Sequence, residues 1–306
     1  MGNCSYGMIG LGKMGALAAE NVLSKGINVA VFDMNTESVA KLATLGAKGC
    51  QSIQEVVDSL NSPRVIWLMV PAGDPVEQVL FGDKGLSELL AAGDIVIDGG
   101  NSFYRDSVRR SQRLAEKGIR YLDSGSSGGQ EGAKGGLCLM IGGEKAAFEQ
   151  AEPLFKALSE GMGEYLYVGP SGSGHFTKMV HNAIEYGMLQ AIGEGFELLY
   201  NGPYDLELDK IAHLWTEGSI IRGYLMELTE KAFQKDNTLN EITGEVGGGS
   251  TGSWAIEEAW KFGVPFETIA MSFAARLRSR QEDTFAGKVV AALRNEFGGH
   301  AVVEKE

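Results

Sequence analysis

The stretch Tyr6-Gly7-Met8-Ile9-Gly10-Leu11-Gly12-Lys13-Met14-Gly15 leaves this chain few folds to choose from. A short apolar run breaks directly into a Gly-x-Gly-x-x-Gly turn, and a helix-forming segment, Ala16–Leu23, opens at once. Glycines at those positions permit a tight turn and let the backbone approach a pyrophosphate, whose charge a helix N-terminus favours. Alone, the pattern is weak. Val29-Ala30-Val31-Phe32 then reads as a second strand and ends in Asp33, about 20 residues past the glycines, where a carboxylate can accept hydrogen bonds from an adenosine ribose. A turn or helix-cap role for Asp33 is the plain alternative. Met34 follows with no Arg in the next several positions, so an added 2′-phosphate would meet a carboxylate with no cation to offset it; NAD is expected over NADP. Gly10, Leu11, Gly12, Lys13, Met14, Gly15, Asp33 and Met34 are therefore the expected cofactor contacts.

The alternation of strand and helix continues. Val65–Val70 reads as a buried strand ending in Pro71-Ala72-Gly73, and Asp94–Asp98 as another ending in Gly99-Gly100-Asn101-Ser102. In a doubly wound sheet, ligands lie beyond the carboxyl ends of the strands, which places Val70, Pro71, Ala72 and Asn101 against cofactor or substrate. Tyr121-Leu122-Asp123 leads into Ser124–Ala133, a stretch rich in glycine and hydroxyls that reads as a ligand-contacting loop or, more plainly, a flexible turn. Leu137–Ile141 and Tyr165–Val168 are further strands. Past Gly169–Gly174 the signals are helical only, with breaks at 201–203, 237–240 and 244–252. The expected architecture is α/β, a doubly wound Rossmann-type domain over residues 1–168, followed by an all-α domain over 169–306. Gly247-Gly248-Gly249-Ser250 reads as a flexible loop able to close on a ligand.

The first segment of the helical part carries the densest chemistry. At about 100° per residue, Lys178, His181, Asn182, Glu185 and Tyr186 fall within an arc of roughly 140°, with Met179, Val180, Ala183, Ile184 and Ala191 opposite, where they are expected to pack. An amine, an imidazole, an amide and a carboxylate on one stripe can move protons. A solvated helix face is the alternative, yet His, Asn and Tyr are weaker helix formers that gain nothing from exposure. His181 and Glu185 have a ligand-like i, i+4 spacing, but no third ligand accompanies them, so no metal is expected.

Composition narrows the partners. A net charge of −13 makes nucleic acid and anionic membrane poor partners, because phosphate-backbone binding draws on a broad basic surface. No apolar run is long enough for a membrane span and no basic start leads into an apolar segment, so a cytoplasmic protein is expected. Cys4, Cys50 and Cys138 are odd in number and far apart, which points to reduced thiols rather than disulfides or a zinc site. Any anionic ligand then needs a local basic cluster. Arg276, Arg278, Arg280, Lys288 and Arg294 could form a fork for phosphate or carboxylate, and they suit a solvated helix face as well.

Taken together, Asp98-Gly99-Gly100-Asn101-Ser102, Ser127–Ala133, Gly174–Tyr186 and Arg294–His300 resemble the decarboxylating 6-phosphogluconate dehydrogenases, in a short-chain form, within the β-hydroxyacid dehydrogenase superfamily. The resemblance covers nearly the whole chain. It implies oxidation and decarboxylation of 6-phosphogluconate to ribulose 5-phosphate with NAD, in the pentose phosphate pathway and gluconate utilisation. It implies Lys178 as general base and Glu185 as general acid. Asn101, Ser127, Gly128, Gly129, His181, Asn182 and Tyr186 would hold the sugar acid and Arg276 its phosphate. Arg294 and His300 would belong to a tail reaching a neighbouring subunit's site, which implies a substrate-binding and oligomerisation domain and a homodimer or homotetramer. The base must be neutral to take a proton, so its pKa is expected to be lowered by burial and nearby positive charge.

The chain also departs from the family pattern. Longer members carry a phosphate-binding Lys where Gly249 stands here, Gln130 replaces a more usual Glu, and a long helical extension is missing. The competing readings are a non-decarboxylating 3-hydroxyacid dehydrogenase of the same superfamily and a catalytically silent nucleotide-binding regulatory protein.

Overall fold

A computed structural model of the chain describes residues 4–303. It divides into two compact units, Met1–His181 and Asn182–Glu306. The first unit opens with Tyr6–Ile9 (β1), Lys13–Ser24 (α1), Val29–Phe32 (β2), Thr36–Thr44 (α2), Lys48–Gly49 (β3), Ile53–Asp58 (α3) and Val65–Leu68 (β4). It continues with Asp74–Phe81 (α4), Leu86–Leu89 (α5), Ile95–Asp98 (β5), Tyr104–Ala115 (α6), Arg120–Ser127 (β6), Gly129–Gly135 (α7), Cys138–Gly143 (β7), Lys145–Ser159 (α8) and Glu164–Gly169 (β8). The strands form one sheet in the order β3-β2-β1-β4-β5-β6-β7-β8. All neighbours run parallel except β6 and β7, which pair antiparallel. The order reverses direction between β1 and β4, which is where a doubly wound sheet opens a crevice for ligands.

Alternation along the strands builds a core on each face of the sheet, since successive side chains point to opposite faces. Met8, Trp67 and Ile97 join a cluster with Ala18, Val22, Leu154 and Phe155 of α1 and α8. Their neighbours Ile9, Ile66, Leu68 and Val96 join another with Val56, Val76, Leu86 and Leu114 of α3 to α6. Each fully buried side chain of this size contributes about 1.5–3 kcal/mol, so burial on both faces accounts for the near-continuous apolar strands.

Strand ends shift by a residue or two at β5, β7 and β8, and two boundaries differ from the sequence expectation in ways that bear on the site. β4 ends at Leu68, and only the Met69 N–H carries on the pairing, to the Ile9 carbonyl at 2.8 Å. Ser124–Ser127 is strand rather than loop: Ser124 pairs with Ile141 and Ser127 with Cys138. Its glycine and serines read as a loop, yet the antiparallel partner completes their backbone hydrogen bonds; Gly128, at φ +115, turns the chain into α7.

Ser173–Tyr200 (α9) is one helix of 28 residues, and the division between the units falls within it. The second unit adds Leu208–Thr216 (α10), Tyr224–Lys235 (α11), Ser250–Lys261 (α12), Glu267–Arg278 (α13) and Phe285–Gly298 (α14). Phe196, Leu208, Ala212, Met226 and Phe233 form its core. The apolar side of α9 is only partly packed: Met179 and Ala183 are buried and Val180 half-buried, but Ile184 is 52% exposed and Ala191 is exposed too. Helical periodicity marks which residues share a face; it does not say what covers them. Among the described residues no helix is long and apolar enough to cross a membrane.

Candidate active site

Three glycines around α1 hold their places for different physical reasons. Gly10 has φ +94, and a methyl there would lie 2.4 Å from the Met69 carbonyl oxygen. A methyl on Gly15 would lie 2.0 Å from the Gly10 carbonyl, so these two let β4 and α1 close on the turn. Gly12 has an ordinary φ of −62, and beyond its chain neighbours nothing lies within 4 Å of the methyl it lacks. The protein itself does not require glycine there; the space it leaves lies over the start of α1. No side chain caps α1, so its first-turn amides, at Lys13, Met14 and Gly15, have neither intrahelical nor side-chain acceptors. An open approach above an uncapped helix N-terminus fits a dinucleotide pyrophosphate.

Leu11 and Asp33 serve the turn from behind. The Leu11 side chain is 3% exposed, inside the core, and its N–H donates to Asp33 Oδ2 at 2.5 Å. Asp33 Oδ1 accepts the Asn35 N–H at 2.7 Å, and Asn35 in turn caps α2. Both roles read from the sequence are thus compatible: the carboxylate anchors two backbone amides and keeps acceptor capacity for a ribose. Met34 projects outward at 92% exposure, Lys13 is exposed, and Met14 packs partly on the core.

The loops after β4 and β5 meet each other. Gly73 starts α4 at φ +87, and a methyl on Gly100 would lie 2.9 Å from the Val70 carbonyl oxygen. Val70 is half-buried, while Pro71, Ala72 and Asn101 are exposed. Beneath them lies a buried polar network. Asp98 accepts from the Gly100 N–H at 3.1 Å, Ser102 Oγ at 2.8 Å, Tyr121 Oη at 2.9 Å and Arg110 Nη1 at 3.4 Å. Burial, then the Asp98 charge, push the Tyr121 phenol well above its usual pKa, so it stays a donor. Burial opposes the Arg110 charge, but Tyr121, Glu77 and Asp98 outweigh it and raise the guanidinium pKa. Glu77 shows the mirror effect: burial would raise its pKa, and Arg110 and Arg109 together hold it below the usual value.

The first turn of α9 is seated by a buried carboxylate and by missing side chains. Asp123, fully buried, accepts the Gly172 N–H at 2.6 Å and the His175 N–H at 2.9 Å. A methyl on Gly174 would lie 2.4 Å from the Asp123 and Met140 carbonyl oxygens, and one on Gly125 would lie 2.3 Å from Lys178 Cβ. The helix thus rests directly on β6 and β7, with the Lys178 stem over Gly125. Lys178 is 8% exposed. Its Nζ lies 3.3 Å from His181 Nδ1, and His181 Nε2 lies 3.1 Å from Ser127 Oγ. A neutral imidazole carries one N–H, so the two contacts must have opposite polarity. With a charged amine, Nδ1 accepts and Nε2–H donates to Ser127; with a neutral amine the order can reverse. Ser127, His181 and Lys178 therefore form a chain that accommodates either protonation state. Gly128 is half-buried and Gly129, at φ +58, is exposed beside it.

In the second unit, Asn182 and Glu185 are half-buried on α9, and Tyr186 belongs to a tight group of its own. The Arg276 guanidinium stacks over the Tyr186 ring at 3.8 Å, and Tyr186 Oη lies 3.3 Å from Thr251 Oγ1. Thr251 is 5% exposed, in the first turn of α12, whose N-terminus has no side-chain cap. The Gly247–Ser250 stretch is not the free loop expected from its glycines. Arg280 Nε donates to the Val246 carbonyl at 2.8 Å, Arg280 Nη2 to that of Gly248, and Arg276 Nη1 to that of Gly247 at 3.4 Å. Nor do the C-terminal cations gather into one fork. Arg278 bonds Gln281, Lys288 pairs with Asp283 at 2.9 Å, and Arg294 is exposed on α14. The His300 carbonyl accepts from Asn295 Nδ2 at 3.0 Å. Helical spacing turned these charges around their axes, and backbone carbonyls took two of them.

Sequence reasoning missed Asp123, Arg110 and Thr251. An acid at a strand end, like Asp98, was the available signal for Asp123; nothing in the sequence singled out one Arg among those of α6 or one Thr among the helix starts. Among the described residues no group of three or more His, Cys, Asp or Glu is arranged to hold a metal.

The comparisons with known proteins match both units. A model of the NAD binding domain of 6-phosphogluconate dehydrogenase matches residues 5–169, and one of the 6-phosphogluconate dehydrogenase C-terminal domain matches residues 174–303. The chain belongs to the 6-phosphogluconate dehydrogenase family. The Bacillus subtilis protein YqeC is 48% identical, over 98% of this chain and 99% of its own. An NAD-dependent, decarboxylating 6-phosphogluconate dehydrogenase of Haloferax volcanii is 44% identical over 98% of this chain and 99% of its own. Among solved structures, Plasmodium falciparum 6-phosphogluconate dehydrogenase superposes with a TM-score of 0.82 at 29% identity, over 99% of this chain and 66% of that longer one.

Proposed function

We propose that this protein oxidises 6-phospho-D-gluconate with NAD and releases CO₂ and ribulose 5-phosphate. The observation that carries the reading is the Ser127–His181–Lys178 chain, an amine held almost out of solvent beside a relay, in a family of dehydrogenases. NAD, when bound, accepts the hydride from C3. Lys178 must be neutral to take the proton of the 3-hydroxyl, and His181 with Ser127 can adjust its hydrogen bonds as that proton arrives. Once charged, the amine polarises the new ketone, which stabilises the enolate left when CO₂ departs. Glu185, on the same helix, is the acid that returns a proton to C1.

The remaining residues bind and orient. Asn101, Ser127, Gly128, Gly129, His181, Asn182 and Tyr186 hold the sugar acid. Arg276 meets the phosphate, and Thr251 with the uncapped start of α12 can compensate for the Lys that Gly249 replaces. The second unit, with the joint that precedes it from residue 169, would serve substrate binding and self-association. Ile184, Met188, Val290 and Leu293 are each at least half exposed, as expected of helices that a second copy covers in a homodimer or homotetramer, with Arg294 and His300 supplied across it. The location that goes with this reaction is the cytoplasm, and neither nucleic acid nor membrane is a partner.

The test is an absorbance assay for the reduced cofactor, with 6-phosphogluconate and each nicotinamide cofactor and with CO₂ trapped in parallel. NADH and CO₂ in equal amounts are expected. Cofactor reduction without CO₂ would favour a non-decarboxylating 3-hydroxyacid dehydrogenase, and no reduction with any 3-hydroxy acid would favour a silent nucleotide-binding protein.

A further inference from the structure

Four basic side chains line α6, at Arg105, Arg109, Arg110 and Arg113, and one of them is unlike the rest: the Arg110 side chain has no exposed surface, whereas those of Arg109 and Arg113 are more than half exposed. Burying a guanidinium is costly, and a buried ion pair is weak evidence of a stabilising role. Its partners show what the burial achieves. Nε donates to Glu77 Oε1 at 2.9 Å, Nη2 to the Gly73 carbonyl at 3.3 Å, and Nη1 to Ser102 Oγ at 3.1 Å and Asp98 Oδ2 at 3.4 Å. Gly73 ends the loop that follows β4; Ser102 ends the loop that carries Asn101. Glu77 and Asp98 already set two negative charges against its one; the bonds to Gly73 and Ser102 occupy further N–H groups of the buried fork and, in doing so, join two loops.

We propose that Arg110 is a positioning residue: its planar fork ties the loop after β4 to the loop after β5 and sets how the nicotinamide end of the cofactor meets the substrate. The idea rests on the dehydrogenase reading above. Its geometry is independent of it. The first loop abuts the glycine turn, since Met69 and Val70 crowd Gly10, and the second abuts the first, since Gly100 lies against the Val70 carbonyl. The Gly100 N–H is tied to Asp98 within its own loop, and toward the first loop Gly100 meets only the Val70 carbonyl, past the last ladder bond from the Gly99 N–H to the Leu68 carbonyl. A guanidinium presents five N–H groups in a fixed plane and can hold both loops at once, whereas an ammonium is a point charge that reaches one partner set. The same helix face also carries Ser107, whose Oγ lies 2.7 Å from His175 Nδ1 in the first turn of α9. One helix thus touches both loops and the segment that leads to Lys178.

The test is Arg110→Lys, with Arg109→Gln as control, because Arg109 shares Glu77 at 2.7 Å but reaches neither loop. Hydrogen exchange of the amides at 69, 70, 72 and 73 and at 99–102 should rise about tenfold in both loops together in the Lys variant. Its kcat should fall roughly tenfold to a hundredfold while KM for NAD stays within about threefold, as expected of misplacement without lost binding. The kinetic isotope effect with substrate deuterated at C3 should increase, because hydride transfer becomes more nearly rate-limiting. A folded Arg110→Lys protein with normal loop exchange and normal kcat would overturn the proposal, as would equal effects from Arg109→Gln. If Arg110→Lys does not fold, Ser102→Ala removes one arm of the fork with little change in volume; the same split in smaller measure is expected, and an unchanged exchange rate and kcat would refute it. Exchange is read on the free protein, so it judges the proposal even if the wild type fails to oxidise 6-phosphogluconate, a result that would instead sink the functional reading.

Discussion

Gly125→Ala adds one methyl group at the point where α9 rests on β6, and the structure allows its effect to be worked out. Gly125 is not at positive φ, so the backbone tolerates alanine and only space is at issue. The new carbon would lie 2.3 Å from Lys178 Cβ and 2.9 Å from the Gly174 carbonyl oxygen. Carbon atoms rest at about 3.5–4.0 Å, so relief requires a shift of about 1.2–1.7 Å along that line. Neither neighbour is the free end of a flexible side chain: one is the root of Lys178, the other is helix backbone. The strain should cost about 1–3 kcal/mol of stability, the usual penalty for overpacking. Activity should suffer more, because misplacement by about 1 Å can cost a hundredfold in rate.

Steady-state assays with NAD and 6-phosphogluconate, paired with thermal unfolding and NADH titration, separate the two effects. We expect a folded protein that binds NADH normally, since the added methyl meets Lys178 and Gly174 rather than α1 or its turn, and whose kcat is lowered by roughly two orders of magnitude. A Gly125→Ala enzyme with wild-type kcat would show that the placement of Lys178 over Gly125 is irrelevant to turnover, and the argument from α9 packing would fall.

Lys178→Met should abolish NADH formation while leaving NADH binding intact, and near-normal turnover would remove the amine as the base; Glu185→Gln should slow proton delivery after CO₂ loss, and an unchanged rate would remove that carboxylate from the mechanism. Gly12→Ala should leave thermal stability unchanged and weaken NADH binding, because its methyl meets only open space, whereas Gly15→Ala should lower stability, because its methyl meets the Gly10 carbonyl oxygen; calorimetry and fluorescence titration check the contrast, and equal effects at both positions would refute it. Glu77 has its folded pKa held below the ordinary 4.5, so its ion pairs stabilise above that value and the contribution is lost as pH falls through the folded pKa. The difference in melting temperature between wild type and Glu77→Gln should therefore be largest near neutrality and shrink toward acid, and a difference independent of pH would contradict the assignment.

Much of the first unit is legible because its signal is repeated. β1, β2, β4 and β5 are each a largely apolar run followed by a turn that carries glycine or leads into a helix, so their parallel order follows from the alternation itself, whereas β3, the exposed pair Lys48-Gly49, carries no such signal. Ser124–Ser127 broke that pattern. It is a strand whose composition is that of a loop, and only its register against Leu139, Met140 and Ile141 makes it one. The reason for its small residues lies across the sheet: Gly125 and Gly142 are small because α9 sits on them. A sequence read along one dimension assigns such glycines to flexibility or to ligands; the structure assigns them to packing.

The same ambiguity governs charge, and it bears on the site more than on the fold. The stripe from Lys178 to Tyr186 was readable because helix period alone brings it to one face. Arg110 was not, because α6 reads Tyr-Arg-Asp-Ser-Val-Arg-Arg-Ser-Gln-Arg and nothing in that run marks which arginine turns inward. What turns it inward is the pair of carboxylates, Glu77 and Asp98, offered by two other elements, and those become neighbours only once the sheet is assembled. Residues on one helix stripe can be nominated by type and spacing. Residues such as Arg110 and Thr251 are visible only through their partners, so a site inferred from sequence alone omits them until the chain is folded.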